Sequence, residues 1–250
     1  MIKMAEQKWW IILENNPEVM NALKERLGLS DDLQFYDVYS LDEPELLAHI
    51  PRPAYALLVI IPLTEVWDEE RKTEDSAKED YAGFGEDESV IWFKQTIGNA
   101  CGSIGVLHSV INGPASKHII PGSGFDEIRR AAIPLKVSER AQMLYDSETF
   151  EAAHRSVANL GDTAAPTPHD GHHVGQHFVS FVKADDGHLW ELEGSRKGPI
   201  DRGMLAEDED VLSPRALDLG IKRVIKLVQD AGIDDLRFSC TALAPVSKSS

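Results

Sequence analysis

Ala56-Leu57-Leu58-Val59-Ile60-Ile61 is an uninterrupted apolar run that follows Pro51-Arg52-Pro53. Its length matches a β-strand, and its lack of alternation predicts a strand buried on both faces. Such a strand needs a sheet covered on each side, and 250 residues at 42% hydrophobic content are enough to build that core. Helical spacing supplies candidates for the cover. Val19, Met20, Leu23 and Leu27 recur at helical intervals over Pro17 to Leu27, and Gly28 stops the run. Leu41 to Ile50, Cys101 to Ile111, Phe125 to Ala132 and Ser138 to Leu160 also read as helical, the third after the turn Pro121-Gly122-Ser123-Gly124. Residues 215–230 place Leu217, Ile221, Val224, Ile225 and Val228 on one side of an amphipathic helix. His177 to Val182 and Leu189 to Glu193 alternate as strands around Asp185-Asp186-Gly187, which predicts a hairpin, and Leu236 to Leu243 reads as a last strand.

No repeat and no linker interrupt this pattern, so a single domain of α/β or α+β class is expected over residues 1–250. Two stretches stand apart. Residues 68–88 are dense in charge and read as a solvated helix or mobile loop with no catalytic role. Residues 161–176 form a long turn-rich segment, of the kind that is either disordered or a functional lid.

Charge narrows the partners. Asp and Glu number 42 against 25 Lys and Arg, a net charge of −17. That balance argues against nucleic acid and anionic membranes and suits a basic partner. Cys101 and Cys240 are the only cysteines, too few for a disulfide framework. Lys3, Glu6, Lys8 and Glu14 break up the first stretch, so no signal-like segment is expected, and no run approaches the roughly 20 apolar residues of a membrane span. The expected setting is cytoplasmic, with the nucleus also open.

The chemistry concentrates around Gln95-Thr96-Ile97-Gly98-Asn99-Ala100-Cys101-Gly102. A cysteine at a helix start feels the positive end of the peptide dipoles, which favours the thiolate. A glutamine amide beside it has the donor needed for an oxyanion. The same residues also fit a buried core cysteine next to a polar turn. A thiol nucleophile needs a base, and the base needs an orienting group. His177 opens the first hairpin strand and Glu193 closes the second, so antiparallel pairing brings an imidazole near a carboxylate. Each taken alone also fits an ordinary strand-end residue. His169, His172, His173 and His177 with Asp170 raise a zinc reading, weakened because His172 and His173 are adjacent on a Gly-flanked loop without a Cys pair.

Beyond single residues, the chain resembles the ubiquitin C-terminal hydrolases, thiol deubiquitinases with a papain-like core. The likeness is carried in order by Leu13-Glu14-Asn15-Asn16-Pro17-Glu18-Val19, Gln34-Phe35-Tyr36-Asp37-Val38-Tyr39, the Gln95–Gly102 block, His177-Phe178, Gly187-His188-Leu189-Trp190-Glu191-Leu192-Glu193-Gly194 and Leu236-Arg237-Phe238. It implies an α+β fold with a mainly antiparallel central sheet flanked by helices, and a knotted backbone. By position it implies Cys101 as nucleophile, His177 as base, Glu193 as orienting acid and Gln95 as oxyanion donor. It further implies Glu14, Glu18, Asp37 and Asp235 as carboxylates that grip the basic tail of ubiquitin.

Glu193 departs from the family's usual Glu-Leu-Asp-Gly, and its extra methylene displaces the carboxylate by about 1.5 Å. The implied activity is hydrolysis after the C-terminal glycine of ubiquitin. Residues 161–176 would cross over the site and favour small or flexible leaving groups. The resemblance implies a monomer and no metal or organic cofactor. The alternatives are a hydrolase of a closely related ubiquitin-like modifier, or a ubiquitin-binding protein with weak turnover.

Overall fold

The computed structural model describes residues 8–161, 175–234 and 237–247. Along the chain run α1 (Pro17–Leu27), β1 (Leu33–Asp37), α2 (Pro44–Leu47), β2 (Ala56–Pro62), α3 (Glu65–Ser76), α4 (Cys101–Ile111), α5 (Gly124–Ala132), α6 (Val137–Asp146) and α7 (Glu148–Val157). There follow β3 (Gln176–Lys183), β4 (His188–Leu192), β5 (Ile200–Met204), α8 (Pro214–Leu219), α9 (Ile221–Asp230) and β6 (Ser239–Pro245). The strands form one antiparallel sheet in the order β1-β6-β2-β3-β4-β5.

The apolar run Ala56–Ile61 lies in β2, between β6 and β3, and alternation sends its side chains into two separate cores. Ala56 and Leu58 join a core built with α1, α4, α5 and α7. Leu57, Val59 and Ile61 join a second core with Trp67 of α3, Leu217 of α8, and Ile221 and Val224 of α9. The expected two-sided burial is therefore met by helices on both faces.

Three expected helices are shorter than the sequence suggested, for local reasons. Leu41 to Ile50 yields only α2, because the Ser40 hydroxyl accepts from the Asp42 and Glu43 N–H groups and holds a turn. Ser138 to Leu160 divides at Ser147, whose hydroxyl caps α7 by accepting from the Phe150 N–H at 3.2 Å. The 215–230 helix divides at Gly220. The structure adds two strands, β1 and β5, that the apolar pattern does not predict; both lie at sheet edges and carry polar residues.

The charged segment 68–88 also needs correction, since α3 is docked. Trp67 is fully buried, and the Arg196 guanidinium, itself buried, meets Glu74 at 2.7 Å and Asp75 at 3.1 Å. Arg202 reaches Glu74 at 2.6 Å and Glu191 at 2.8 Å. Farther on, Glu88 pairs with the buried Arg140. Glu74 and Asp75 therefore serve ion pairs that fix α3 against β4 and β5, while Glu69, Lys72 and residues 76–80 are exposed as expected of a solvated helix.

Candidate active site

Cys101 is the first residue of α4, where backbone N–H groups have no partner within the helix. It reaches the sheet because α4 packs unusually close to it. Gly105 faces β2, and a Cβ on it would lie 2.6 Å from Leu58 Cδ1. The turn before the helix is braced from the N-terminal side. The Asn99 backbone is left-handed, with φ of 61°, and its side-chain amide donates to the Trp10 carbonyl at 3.1 Å. Trp10 N–H donates to the Gly98 carbonyl at 2.9 Å, and Gly98 N–H to the Lys8 carbonyl at 2.8 Å. His154 of α7 holds the same N-terminal segment, donating from Nε2 to the Ile11 carbonyl at 2.9 Å while Nδ1 accepts from the Ser103 hydroxyl at 2.7 Å.

His177, in β3, stands between the two layers. Its Nε2 is 2.6 Å from Glu193 Oε1, and its ring is hydrogen-bonded to the Cys101 thiol. The hairpin register explains the first contact. Ser180 pairs with Leu192, so Glu193 continues opposite Val179, and His177 lies two residues along the same face. Diagonal neighbours of this kind are about 7–8 Å apart at the backbone, a gap that long side chains span.

Electrostatics couple the three groups. Burial alone would lower the His177 pKa, but the Glu193 charge and the bond to Cys101 raise it from 6.5 to about 10. Burial would raise the Glu193 pKa, but His177, Arg71 and Ser195 hold its carboxyl well below the usual carboxylate range. Burial likewise opposes a thiolate at Cys101. The His177 bond and charge, with the N–H groups of Phe178 and Gly102, outweigh it and lower that thiol below its ordinary value. Cys240 shows the contrast, because burial alone pushes it up to about 12.

Gln95 lines the same cavity as Cys101 and His177, with a volume of about 670 Å³. Its amide donates to the Ile97 carbonyl at 3.1 Å, which orients the group and uses one of its two N–H bonds. The segment carrying Gln95 runs against Gly194, whose carbonyl accepts from Gln95 N–H at 2.8 Å. A Cβ on Gly194 would sit 2.8 Å from Gln95 Cβ, so glycine there lets the acid and the amide share one site.

Among the carboxylates expected at the substrate tail, Glu14 lines this cavity and accepts from the Asn16 amide at 3.0 Å. Glu18 is exposed on the first turn of α1, and Asp37 is half-buried at the end of β1; neither lines the cavity. Asp235, with His169, Asp170, His172, His173 and nearly all of 161–176, lies outside the described residues.

Two further groups at the site carry no signal in the sequence pattern. Arg71 of α3 donates from Nη1 to Glu193 Oε2 at 3.0 Å, and Ser195 donates its N–H to Glu193 Oε1 at 2.9 Å and its hydroxyl to the same oxygen.

A helix-borne thiol from one layer, a strand-borne imidazole and a buried carboxylate against the other layer are the parts of a papain-like cysteine hydrolase. The family model "Ubiquitin carboxyl-terminal hydrolase, family 1" matches residues 10–226, and the chain belongs to that family. A ubiquitin carboxyl-terminal hydrolase of Aplysia californica is 36% identical over 208 residues, covering 82% of this chain and 91% of the relative. Ubiquitin carboxyl-terminal hydrolase 3 of Arabidopsis thaliana is 33% identical, with 96% of each chain covered. A probable ubiquitin carboxyl-terminal hydrolase of Dictyostelium discoideum is 37% identical, covering 95% of this chain and 88% of the relative. Among solved structures, the catalytic domain of Trichinella spiralis UCH37 bound to ubiquitin vinyl methyl ester superposes with a TM-score of 0.68 at 21% identity, covering 95% of this chain and 96% of that one. At that identity it speaks for the shared fold.

Proposed function

We propose that this chain is a thiol deubiquitinase that hydrolyses the bond after the C-terminal glycine of ubiquitin. The observation that carries the reading is the line from Cys101 through His177 to Glu193, with the 2.6 Å His177–Glu193 contact, in a member of the ubiquitin carboxyl-terminal hydrolase family. Cys101 is the nucleophile. Its proton passes to His177, and Glu193 holds the ring in line and stabilises the imidazolium. The thiolate attacks the glycine carbonyl, and the oxygen that becomes negative is held by the free N–H of the Gln95 amide and the Cys101 backbone N–H. His177 then gives its proton to the leaving amine or thiol. Water deprotonated by His177 releases ubiquitin from the acyl-enzyme and restores the thiol.

The cavity beside Cys101 receives the tail, where Glu14 meets its basic side chain; Glu18 and Asp37 meet ubiquitin outside that cavity. Residues 161–176 restrict the leaving group to small or flexible adducts. The 250 residues act as one catalytic domain. Hydrolysis of ubiquitin carrying a C-terminal coumarin tests the reading, run beside the same adduct of the modifier most similar to ubiquitin. Release from ubiquitin that disappears in Cys101→Ser is the expected result. Release only from the second modifier transfers the activity to that substrate, and release from neither refutes it.

A further inference from the structure

Glutamate has one more rotatable bond than aspartate, so a glutamate in the orienting position must be held if its carboxylate is to present one fixed oxygen to histidine. Glu193 is held at both oxygens. Oε1 accepts both donors of Ser195 and forms a 2.6 Å ion-pair contact with His177 Nε2, and Oε2 accepts from Arg71 Nη1 at 3.0 Å. The carboxylate has no exposed surface, so rotation would cost it these bonds with no water to replace them.

Arg71 is itself held by three further contacts. Nη2 donates to Asp68 Oδ1 at 2.8 Å, Nη1 also donates to the Ser195 hydroxyl at 2.9 Å, and the guanidinium lies 4.5 Å from the centre of the Trp67 ring. Trp67 belongs to the second core, and the Thr64 hydroxyl caps the start of α3 by accepting from Trp67 N–H at 3.3 Å. The clamp is thus anchored in the helix layer opposite α4.

Charge balance points the same way. Once His177 has given its proton to the leaving group, the ring is neutral, Cys101 is acylated and Glu193 is a buried anion. Arg71 supplies its counter-charge in that state, so Glu193 stays ionised throughout the cycle and does not take the His177 proton.

We propose that Arg71 is a positioning residue for catalysis, fixing the second oxygen of Glu193 so that the first faces His177, with Ser195 completing a clamp matched to a glutamate. The inference rests on the catalytic roles proposed above for Cys101, His177 and Glu193. It makes a chain-specific claim: the shorter aspartate, usual in the family, does not reach both Arg71 and His177 here.

The experiment compares wild type with Arg71→Ala, Arg71→Lys, Ser195→Ala and Glu193→Asp. It measures kcat and KM on ubiquitin–coumarin, the pH profile of Cys101 alkylation by iodoacetamide, and Tm. Arg71→Ala is expected to lower kcat about tenfold to a hundredfold, as a misplacement of this size does, with KM within about threefold. It is also expected to move half-maximal alkylation to higher pH. Arg71→Lys restores part of both losses, and Glu193→Asp falls below wild type.

An Arg71→Ala protein that folds and keeps the wild-type kcat and alkylation profile overturns the proposal, whatever its Tm. Should Arg71→Ala not fold, Arg71→Lys and Ser195→Ala decide it: both matching wild type in kcat and alkylation profile refutes the clamp, and both falling below wild type supports it. Iodoacetamide needs no ubiquitin, so a wild type inactive on ubiquitin refutes the function proposed above while the alkylation profiles still judge Arg71.

Discussion

Replacing Glu193 with glutamine keeps the side chain's length and removes its charge. His177 is raised from 6.5 to about 10, and that shift corresponds to about 5 kcal/mol of preference for the imidazolium. Coulomb attraction across the 2.6 Å contact at an effective dielectric of about 20 gives about 6 kcal/mol, the same order, before the opposing cost of burial. Cys101 supplies part of that preference and remains, so removing the Glu193 charge forfeits on the order of half of it. At about 1.4 kcal/mol per tenfold, kcat falls by about a hundredfold. KM changes little, because Glu193 is buried behind His177. The same change withdraws the imidazolium that favours the Cys101 thiolate. Alkylation by iodoacetamide, which in wild type begins below the ordinary thiol range, shifts to higher pH. Glu193→Gln with wild-type kcat and an unmoved alkylation profile would falsify the claim that this carboxylate drives the ion pair.

Three further outcomes are expected. Gly105→Ala places a Cβ 2.6 Å from Leu58 Cδ1 and forces α4 away from the sheet; it costs about 1–3 kcal/mol, read as a lower Tm, and reduces kcat by moving Cys101 from His177. An unchanged Tm would show that α4 does not need this close approach. Gln95→Ala lowers kcat on the order of a hundredfold while KM stays near wild type; a change confined to KM would make Gln95 a binding residue. Finally, burial lowers His154 from 6.5 to about 4, so the folded protein excludes a proton that the unfolded chain accepts. Stability is therefore full above about pH 6.5 and declines as the pH falls toward 4, by up to about 3 kcal/mol from this group. Melting His154→Gln and wild type between pH 7 and 4 checks it, and equal slopes would contradict it.

What could be read from sequence follows the range of the interactions involved. The double-sided strand at Ala56–Ile61 was legible because burial on both faces removes polar residues from the strand itself. The helix from Pro17 to Leu27 was legible because its start and stop are local: Asn16 caps it from one end and Gly28 closes it at the other. Cys101 at a helix start and His177 at a strand start were also local signals. Arg71 was not legible. Its partner Glu193 is 122 residues away, and a helix rich in Glu, Asp, Lys and Arg looks solvated until its partners are known. The same holds for Arg196 and Arg202, whose buried pairs with α3 turn charge into packing. β5 carries Asp201, Arg202 and Gly203 and lacks an apolar pattern, whereas the alternation in β1 rests on Leu33 and Phe35 alone, too short a signal to mark a strand. The family likeness implies Glu193 as the orienting acid, and the folded geometry shows how that longer carboxylate is held beside His177.

The central claim is that Cys101 attacks the C-terminal glycine of ubiquitin. Ubiquitin bearing a C-terminal electrophile, incubated at neutral pH and followed by peptide mapping, tests it directly. One adduct on Cys101, absent from Cys101→Ser and slowed in Glu193→Gln, is the predicted result. Ubiquitin bound without an adduct, or an adduct on Cys240, would contradict it.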